Sequence, residues 1–119
     1  MRRRAARRDE NEAEVREWFL RLGWTWGDLG AMGDGWPDAL VARNGRTVGV
    51  EVKGRSGRLT DAQRGHLMVW PGEVLIVAPA SAQAAREAIR AQLPYWSEHH
   101  RILCGFDEVR EWATTEGRA

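Results

Sequence analysis

The segment DALVARNGRTVGVEVK, residues 38–53, decides the fold of this chain because it encodes a β-hairpin. Two β-prone runs flank Asn44-Gly45, a dipeptide typical of a two-residue type I′ turn. A two-residue loop at this position sets Arg43 opposite Arg46. The segment therefore predicts two antiparallel strands with a defined register.

The hairpin has two chemically different faces. Counting outward from the turn places Asp38 opposite Glu51, and Lys53 shares their face because side chains alternate along a strand. A slip of one residue would exchange the faces, so the apolar face fixes the register. That face carries Ala39, Val41, Val48, Val50 and Val52.

The acidic pair predicts a metal site. Two carboxylates about 5 Å apart repel by about 3 kcal/mol at an effective dielectric constant of about 20. A divalent cation converts that repulsion into binding, and Mg²⁺ or Mn²⁺ prefers oxygen ligands. We expect Asp38 and Glu51 to be ligands, and the backbone carbonyl of Val52 to add a third.

Lys53 is the only lysine in a chain that has seventeen arginines. A lysine ammonium is a compact charge, and beside a metal it can orient a water molecule or stabilise charge on a phosphate. The alternative is a lysine on an exposed hairpin that has no role in chemistry.

The remaining pattern predicts helices around a mixed sheet, which is an α/β sandwich. Thr60 and Gln63 form a capping-box signature, and the run EVLIVA reads as a strand buried on both faces. Ser81 is expected to cap a later helix that stops at Pro94. The predicted order is helix 9–22, a short strand near 24–26, the hairpin, helix 60–69, strand 73–78, helix 81–93, irregular 94–100, strand 101–104 and helix 107–114.

Composition indicates one globular domain. The chain has 119 residues, of which 43% are hydrophobic and 29% charged, as in ordinary soluble domains. No apolar run is long enough for a membrane span, and no secretory leader is expected at the N-terminus. Cys104 has no partner for an internal disulfide and is expected to be a small buried side chain, which favours a cytoplasmic location.

Positive charge is clustered although the formal net charge is only +1. Residues 1–8 contain five arginines, and a second basic cluster lies within residues 43–64. Such clusters indicate a polyanionic partner such as nucleic acid, or else a solvated tail and loop. We expect residues 1–8 to be a flexible basic tail and residues 9–119 to form a single domain.

Three short segments resemble the PD-(D/E)xK nuclease superfamily: GWPD at 35–38, VEVK at 50–53 and RLTDAQ at 58–63. Within it, the chain is most similar to the stand-alone VRR-NUC domains of phages and bacteria. These domains have G-x-P-D, a hairpin, E-x-K, L-T-x-x-Q, a helix, a Trp-x-Gly turn and an apolar strand in that order. The resemblance covers about residues 10–90, and residues 91–119 read as a C-terminal extension.

The resemblance implies a restriction-endonuclease-like core, with a central mixed β-sheet flanked by helices. It implies that Asp38 and Glu51 bind the metal and that Lys53 is catalytic. It also implies a glutamate from the first helix, for which we choose Glu12 over Glu14. Gln63 matches the family's glutamine near the lysine, although a mere capping partner for Thr60 explains it equally well.

The implied activity is Mg²⁺- or Mn²⁺-dependent hydrolysis of DNA phosphodiester bonds. We expect selection of branched or junction DNA by shape, as in resolvase-like relatives, with the protein acting as a homodimer in a bacterial or phage-infected cytoplasm. Arg55, Arg58 and Arg64 are expected to hold phosphates, and Trp36 is a candidate for stacking on a base.

Other readings remain open at this stage. The fold could serve as a non-catalytic DNA-binding or assembly module, or the site could act on RNA or nucleotides. His99 and His100 are adjacent, so on regular structure they would point apart, and surface positions are expected for both.

Overall fold

A computed structural model of the chain describes residues 2–93 and 98–116, with the backbone alone for residues 2–10. The elements are α1 (Arg2–Arg21), β1 (Thr25–Asp28), β2 (Ala39–Arg43), β3 (Arg46–Val52), α2 (Asp61–Val69), β4 (Val74–Ala78), a 3₁₀ turn (Gln83–Ala85), α3 (Arg86–Arg90), β5 (His100–Cys104) and α4 (Phe106–Thr115).

The hairpin forms in the predicted register. Strands β2 and β3 are antiparallel, and their ladder runs from Arg43 opposite Arg46 to Ala39 opposite Val50. Asn44 and Gly45 both have positive φ, at 53° and 81°, as a type I′ turn requires. The turn chemistry therefore fixed the pairing as expected.

The hairpin belongs to a five-stranded mixed sheet with the order β1-β2-β3-β4-β5. The β1–β2 and β2–β3 pairs are antiparallel, whereas β3–β4 and β4–β5 are parallel. The predicted α/β class with a mixed sheet flanked by helices is confirmed. The parallel pairs explain why β4 is buried at all five positions.

Each face of the sheet has its own core. On one face the hairpin valines Val41, Val48, Val50 and Val52 pack with Val15 and Phe19 of α1 and Val109 and Trp112 of α4. On the other, Val74 and Ile76 of β4 pack with Leu67 of α2 and Ile89 of α3. Because side chains alternate along β3, Glu51 and Lys53 lie on the side of α2.

The capping box of α2 is confirmed. The Thr60 hydroxyl accepts a hydrogen bond from the Gln63 N–H at 3.1 Å, and the Gln63 side chain accepts one from the Thr60 N–H at 2.9 Å. The helix ends at Val69, directly before Trp70 and Pro71. The start of α2 is thus set by local sequence alone.

Two predicted boundaries are wrong. Helix α1 begins at Arg2 rather than Asp9, because arginine and alanine are good helix formers; the flexibility expected of residues 1–8 stays a prediction. The early strand is Thr25–Asp28 rather than 24–26, because it pairs with β2 until Asp28 lies opposite Ala39.

The prediction that Ser81 caps a helix is also wrong. The Ser81 hydroxyl donates to the backbone oxygen of Arg55 at 2.9 Å, so it ties two loops together instead of capping a helix. A 3₁₀ turn comes first, and α3 starts only at Arg86. The predicted stop at Pro94 and residues 94–97 of the irregular segment lie outside the described residues.

The C-terminal region gives two confirmations and one correction. Cys104 is 4% exposed and is a free thiol, and burial raises its pKa. His100 is not on the surface, because strand β5 directs it inward to 5% exposure. His99 is exposed as expected.

Within residues 2–93 and 98–116, no helix combines the length and the apolar character needed to cross a lipid bilayer.

Candidate active site

Asp38 is held at the start of β2 by both of its neighbouring strands. Its backbone oxygen accepts from the Leu29 N–H at 2.8 Å, and its Oδ2 accepts from the Val52 N–H at 2.7 Å. The β2–β3 ladder ends at Ala39–Val50, one step before the predicted Asp38–Glu51 pair. The Asp38 side chain therefore bonds directly to β3 just beyond the end of the ladder.

The loop before Asp38 is pressed against the first turn of α2. Gly35 has φ of +82°, and a Cβ atom there would lie 2.0 Å from the backbone oxygen of Ala62. Only glycine permits this approach. The close contact brings Trp36, Pro37 and Asp38 up to the helix.

Glu51 and Lys53 come from the end of β3, between β2 and β4. Glu51 pairs with Ile76 in the parallel ladder, and the Lys53 N–H donates to the Val77 oxygen at 2.7 Å. The two residues are 2% and 7% exposed, and Lys53 Nζ lies 3.6 Å from Glu51 Oε2. Both charges are thus withdrawn from solvent and held close together.

Gln63 links the two charged groups from the opposite side. Its Nε2 donates to Glu51 Oε2 at 2.8 Å, and its Oε1 accepts from Lys53 Nζ at 2.8 Å. The same Oε1 accepts the capping bond from Thr60. The reading of Gln63 as the capping partner of Thr60 is confirmed, and its role as a site residue stays a prediction.

Stability alone does not explain this network. Desolvating a charged pair costs several kcal/mol, and well-packed apolar residues in its place are often neutral or stabilising. Asp38, Glu51, Lys53 and Gln63 are nevertheless all at most 8% exposed. Buried charges in a shared site are a mark of functional sites.

Asp38 and Glu51 carry the type of oxygen donor that magnesium and manganese ions prefer. Asp38 and Glu51 lie on the α2 side of the sheet, where two small cavities share Gly35, Pro37 and Gln63 in their walls. One cavity touches Asp38 and measures about 250 Å³, and the other touches Glu51 and measures about 10 Å³. Mg²⁺ commonly takes one or two carboxylates and completes its shell with water and substrate oxygens.

A third acidic ligand is not part of this group. Among the described residues, no three or more His, Cys, Asp or Glu side chains are placed to share one ion. Glu12 lines a separate cavity of about 190 Å³ with Arg16 and Asp28, and Glu14 is exposed. The roles of Glu12 and of the Val52 carbonyl remain predictions; the Val52 contact seen here is its N–H bond to Asp38.

The predicted phosphate-binding arginines differ in their solvent exposure and in their contacts. Arg55 and Arg58 are exposed. Arg64 is half-buried, pairs with the Asp61 carboxylate and donates to the Leu59 oxygen at 3.3 Å. Because Asp61 is itself 93% exposed, the ion pair is weak and can exchange for another anion.

Trp36 lies in an aromatic cluster that sequence reasoning did not identify. Its ring centroid is 4.6 Å from that of His66 and 5.4 Å from that of Trp70. The available signal was the helical spacing, since His66 and Trp70 follow Gln63 by three and seven residues. The partner Trp36 comes from a loop, which spacing does not reveal.

Comparison of the chain with protein-family models, with curated proteins and with solved structures gave no match.

Proposed function

We propose that this protein is a divalent-metal-dependent DNA endonuclease with a restriction-endonuclease-like core, of the PD-(D/E)xK type and closest to VRR-NUC domains. The observation that carries the proposal is the Gln63 side chain joining Glu51 to Lys53, beside the buried Asp38. These four residues combine carboxylates of the kind that bind metal ions with a lysine ammonium that a hydrogen bond holds in place.

Each side chain has a distinct task in the proposed reaction. Asp38 and Glu51 would hold the Mg²⁺ or Mn²⁺ ion, and that ion supplies positive charge against the phosphate under attack. Lys53 Nζ would orient the attacking water or stabilise charge that develops on the phosphate. Gln63 would keep the Lys53 ammonium aimed at the site through its 2.8 Å hydrogen bond.

DNA is the proposed partner because of the basic surface near the site. Arg55 and Arg58 follow Lys53 in an exposed loop, and Arg58 and Arg64 line a cavity of about 320 Å³. Contacts to phosphates carry no sequence information, so we propose selection of branched or structured DNA. A homodimer in the cytoplasm completes the proposal, since one domain of this size is too small to grip two duplexes.

Cleavage assays on four-way junction, flap, nicked and linear DNA test this function. With Mg²⁺ or Mn²⁺ present, the wild-type protein is expected to cut at least one branched substrate, and chelation is expected to abolish cutting. Lys53→Met is expected to lower the rate at least about 100-fold. Arg110→Met, an exposed change on α4, serves as the control and is expected to retain activity.

Two outcomes would contradict the enzyme. Cutting that persists in Lys53→Met or Asp38→Asn would show that another site or a contaminant performs it. Binding of DNA in chelator without cleavage under any divalent metal would instead support a non-catalytic DNA-binding module. A parallel RNA panel identifies a hydrolase directed at RNA.

A further inference from the structure

Three aromatic rings meet on the surface next to the candidate site. His66 and Trp70 of the α2 region are stacked, with centroids 5.4 Å apart and an interplanar angle of 29°. Trp36 stands at 59° to His66 and at 63° to Trp70. All three side chains are half-buried, so the cluster has a solvent-facing side.

The cluster is more than an edge of the hydrophobic core. Trp70 packs partly against the core on the α2 face. Trp36 and His66 belong to neither core cluster among the described residues. Trp36 therefore packs against His66 and Trp70 outside these two core clusters.

The same two segments build the cluster and the candidate site. Trp36 precedes Asp38 by two residues, and His66 and Trp70 continue the α2 stripe that starts at Gln63. At a rise of about 1.5 Å per residue, Trp70 is about 10 Å along the helix from Gln63. His66 and Glu51 also line one common cavity. The rings are thus within one or two nucleotides of the carboxylates.

The chemistry of the cluster suits a nucleobase. Among the described residues, the indole N–H groups of Trp36 and Trp70 and the ring nitrogens of His66 are not among the buried side-chain atoms that lack a hydrogen-bond partner. Desolvation lowers the pKa of His66, which disfavours the charged form of its ring. Aromatic rings without a full positive charge favour stacking on a flat base over binding a phosphate.

We propose that Trp36, His66 and Trp70 form a stacking platform for an unpaired base of the DNA strand that is cut. This inference rests on the proposed nuclease function and names its substrate class: DNA with an unpaired nucleotide beside the scissile bond. Base-paired DNA would leave the platform empty, because its bases are already stacked on one another. Arg58 and Arg64, in their separate cavity, would hold the phosphate backbone.

Binding measurements without metal test the platform separately from cleavage. Fluorescence anisotropy in chelator would compare two labelled duplexes, one with a single-base bulge and one with an abasic site at that bulge. Wild-type protein is expected to bind the base-bearing duplex about 5- to 100-fold more tightly. Trp36→Leu is expected to remove the preference, whereas Trp36→Phe keeps an aromatic ring and most of the preference.

Trp18→Leu is the matched control. Trp18 is also half-buried, but it lies on α1 between Arg21 and Arg110, and its loss is expected to leave the preference intact. Equal binding of the two duplexes by wild-type protein, or no binding of either, would overturn the platform without any variant. A preference that survives in well-folded Trp36→Leu would overturn it too.

The two proposals fail in different ways. Metal-dependent cutting with no base preference would leave the nuclease standing and remove the platform. A base preference in chelator with no cutting under any metal would leave the platform standing and remove the nuclease.

Discussion

At the scale of single residues, Gln63 organises the candidate site. Its side-chain amide accepts from Thr60 and Lys53 and donates to Glu51. A single orientation of the amide therefore satisfies the donor and acceptor roles in all three hydrogen bonds. The start of a helix and the position of a buried ammonium are therefore set by one side chain. Any change at Gln63 is expected to affect folding and chemistry together.

The buried Glu51–Lys53 pair predicts strong thermodynamic coupling. Glu51→Gln and Lys53→Met each remove one charge of this buried, hydrogen-bonded pair, so each is expected to destabilise the protein by about 3–5 kcal/mol. The loss of unfolding free energy in the double variant is expected to be smaller than the sum of the two single losses by about 1–3 kcal/mol. Urea unfolding of all four proteins in metal-free buffer measures this coupling.

The exposed pair Glu17–Arg21 provides the control cycle. Its side chains are 66% and 62% exposed at a separation of 3.2 Å, so its coupling is expected to stay below about 1 kcal/mol. Equal coupling in the two cycles would mean that the Glu51–Lys53 pair is not held as described.

At the scale of elements, the site depends on the loop before β2 docking onto α2. Gly35 allows the contact, and Gly33 in the same loop offers a comparison: both have positive φ, but a Cβ atom at Gly33 would meet nothing within 4 Å. Backbone strain therefore applies at both positions, whereas the steric clash applies only at Gly35.

Alanine substitution separates these two effects. Gly33→Ala is expected to cost about 1–2 kcal/mol of unfolding free energy from positive φ alone. Gly35→Ala adds overpacking against the backbone of α2, for a total of about 3 kcal/mol or more. Urea denaturation measures both values, and a Gly35→Ala protein as stable as Gly33→Ala would contradict the docking of the loop on α2.

At the scale of the whole molecule, buried histidines predict sensitivity to acid. Desolvation lowers the pKa of His100 most, with a smaller effect from His99, although the bond to the Leu67 oxygen acts in the opposite direction. Desolvation also lowers the pKa of His66. The unfolded chain then binds more protons than the folded one as the pH falls through about 6.5, so stability is lost below that pH.

The unfolding free energy is expected to fall between pH 7.5 and 5.5, by at most about 1.4 kcal/mol per pH unit for each histidine. His100→Gln should make this fall clearly shallower, whereas His99→Gln, at an exposed position, removes only the smaller effect on the His100 pKa and should change the slope less. Chemical denaturation at several pH values gives the slopes. An unchanged slope in His100→Gln would mean that His100 is not buried in its neutral form.

Much of the molecule follows from local rules that a sequence reveals. Asn44-Gly45 dictates a turn, the valines of β3 dictate its buried face, and Thr60 with Gln63 dictates the start of α2. These features depend on residues a few positions apart. The positions of Asp38, Glu51 and Lys53 on the α2 side follow from the same periodicity.

The features that were missed depend on distant contacts. The Ser81 hydroxyl has its partner at Arg55, and His100 is buried by packing around β5. The joining of Trp36 to His66 and Trp70 requires the docking of a loop on a helix. The spacing of residues in the sequence does not predict such tertiary contacts.

The central claim is that Asp38 and Glu51 hold a divalent cation, and counting bound Mn²⁺ by electron paramagnetic resonance tests it most directly. With a non-cleavable DNA analogue present, wild-type protein is expected to bind Mn²⁺ at a site that Asp38→Asn and Glu51→Gln both lose. Asp107→Asn, which removes an exposed carboxylate on α4, should keep it. Equal Mn²⁺ binding by all four proteins, or none by the wild type, would contradict the account.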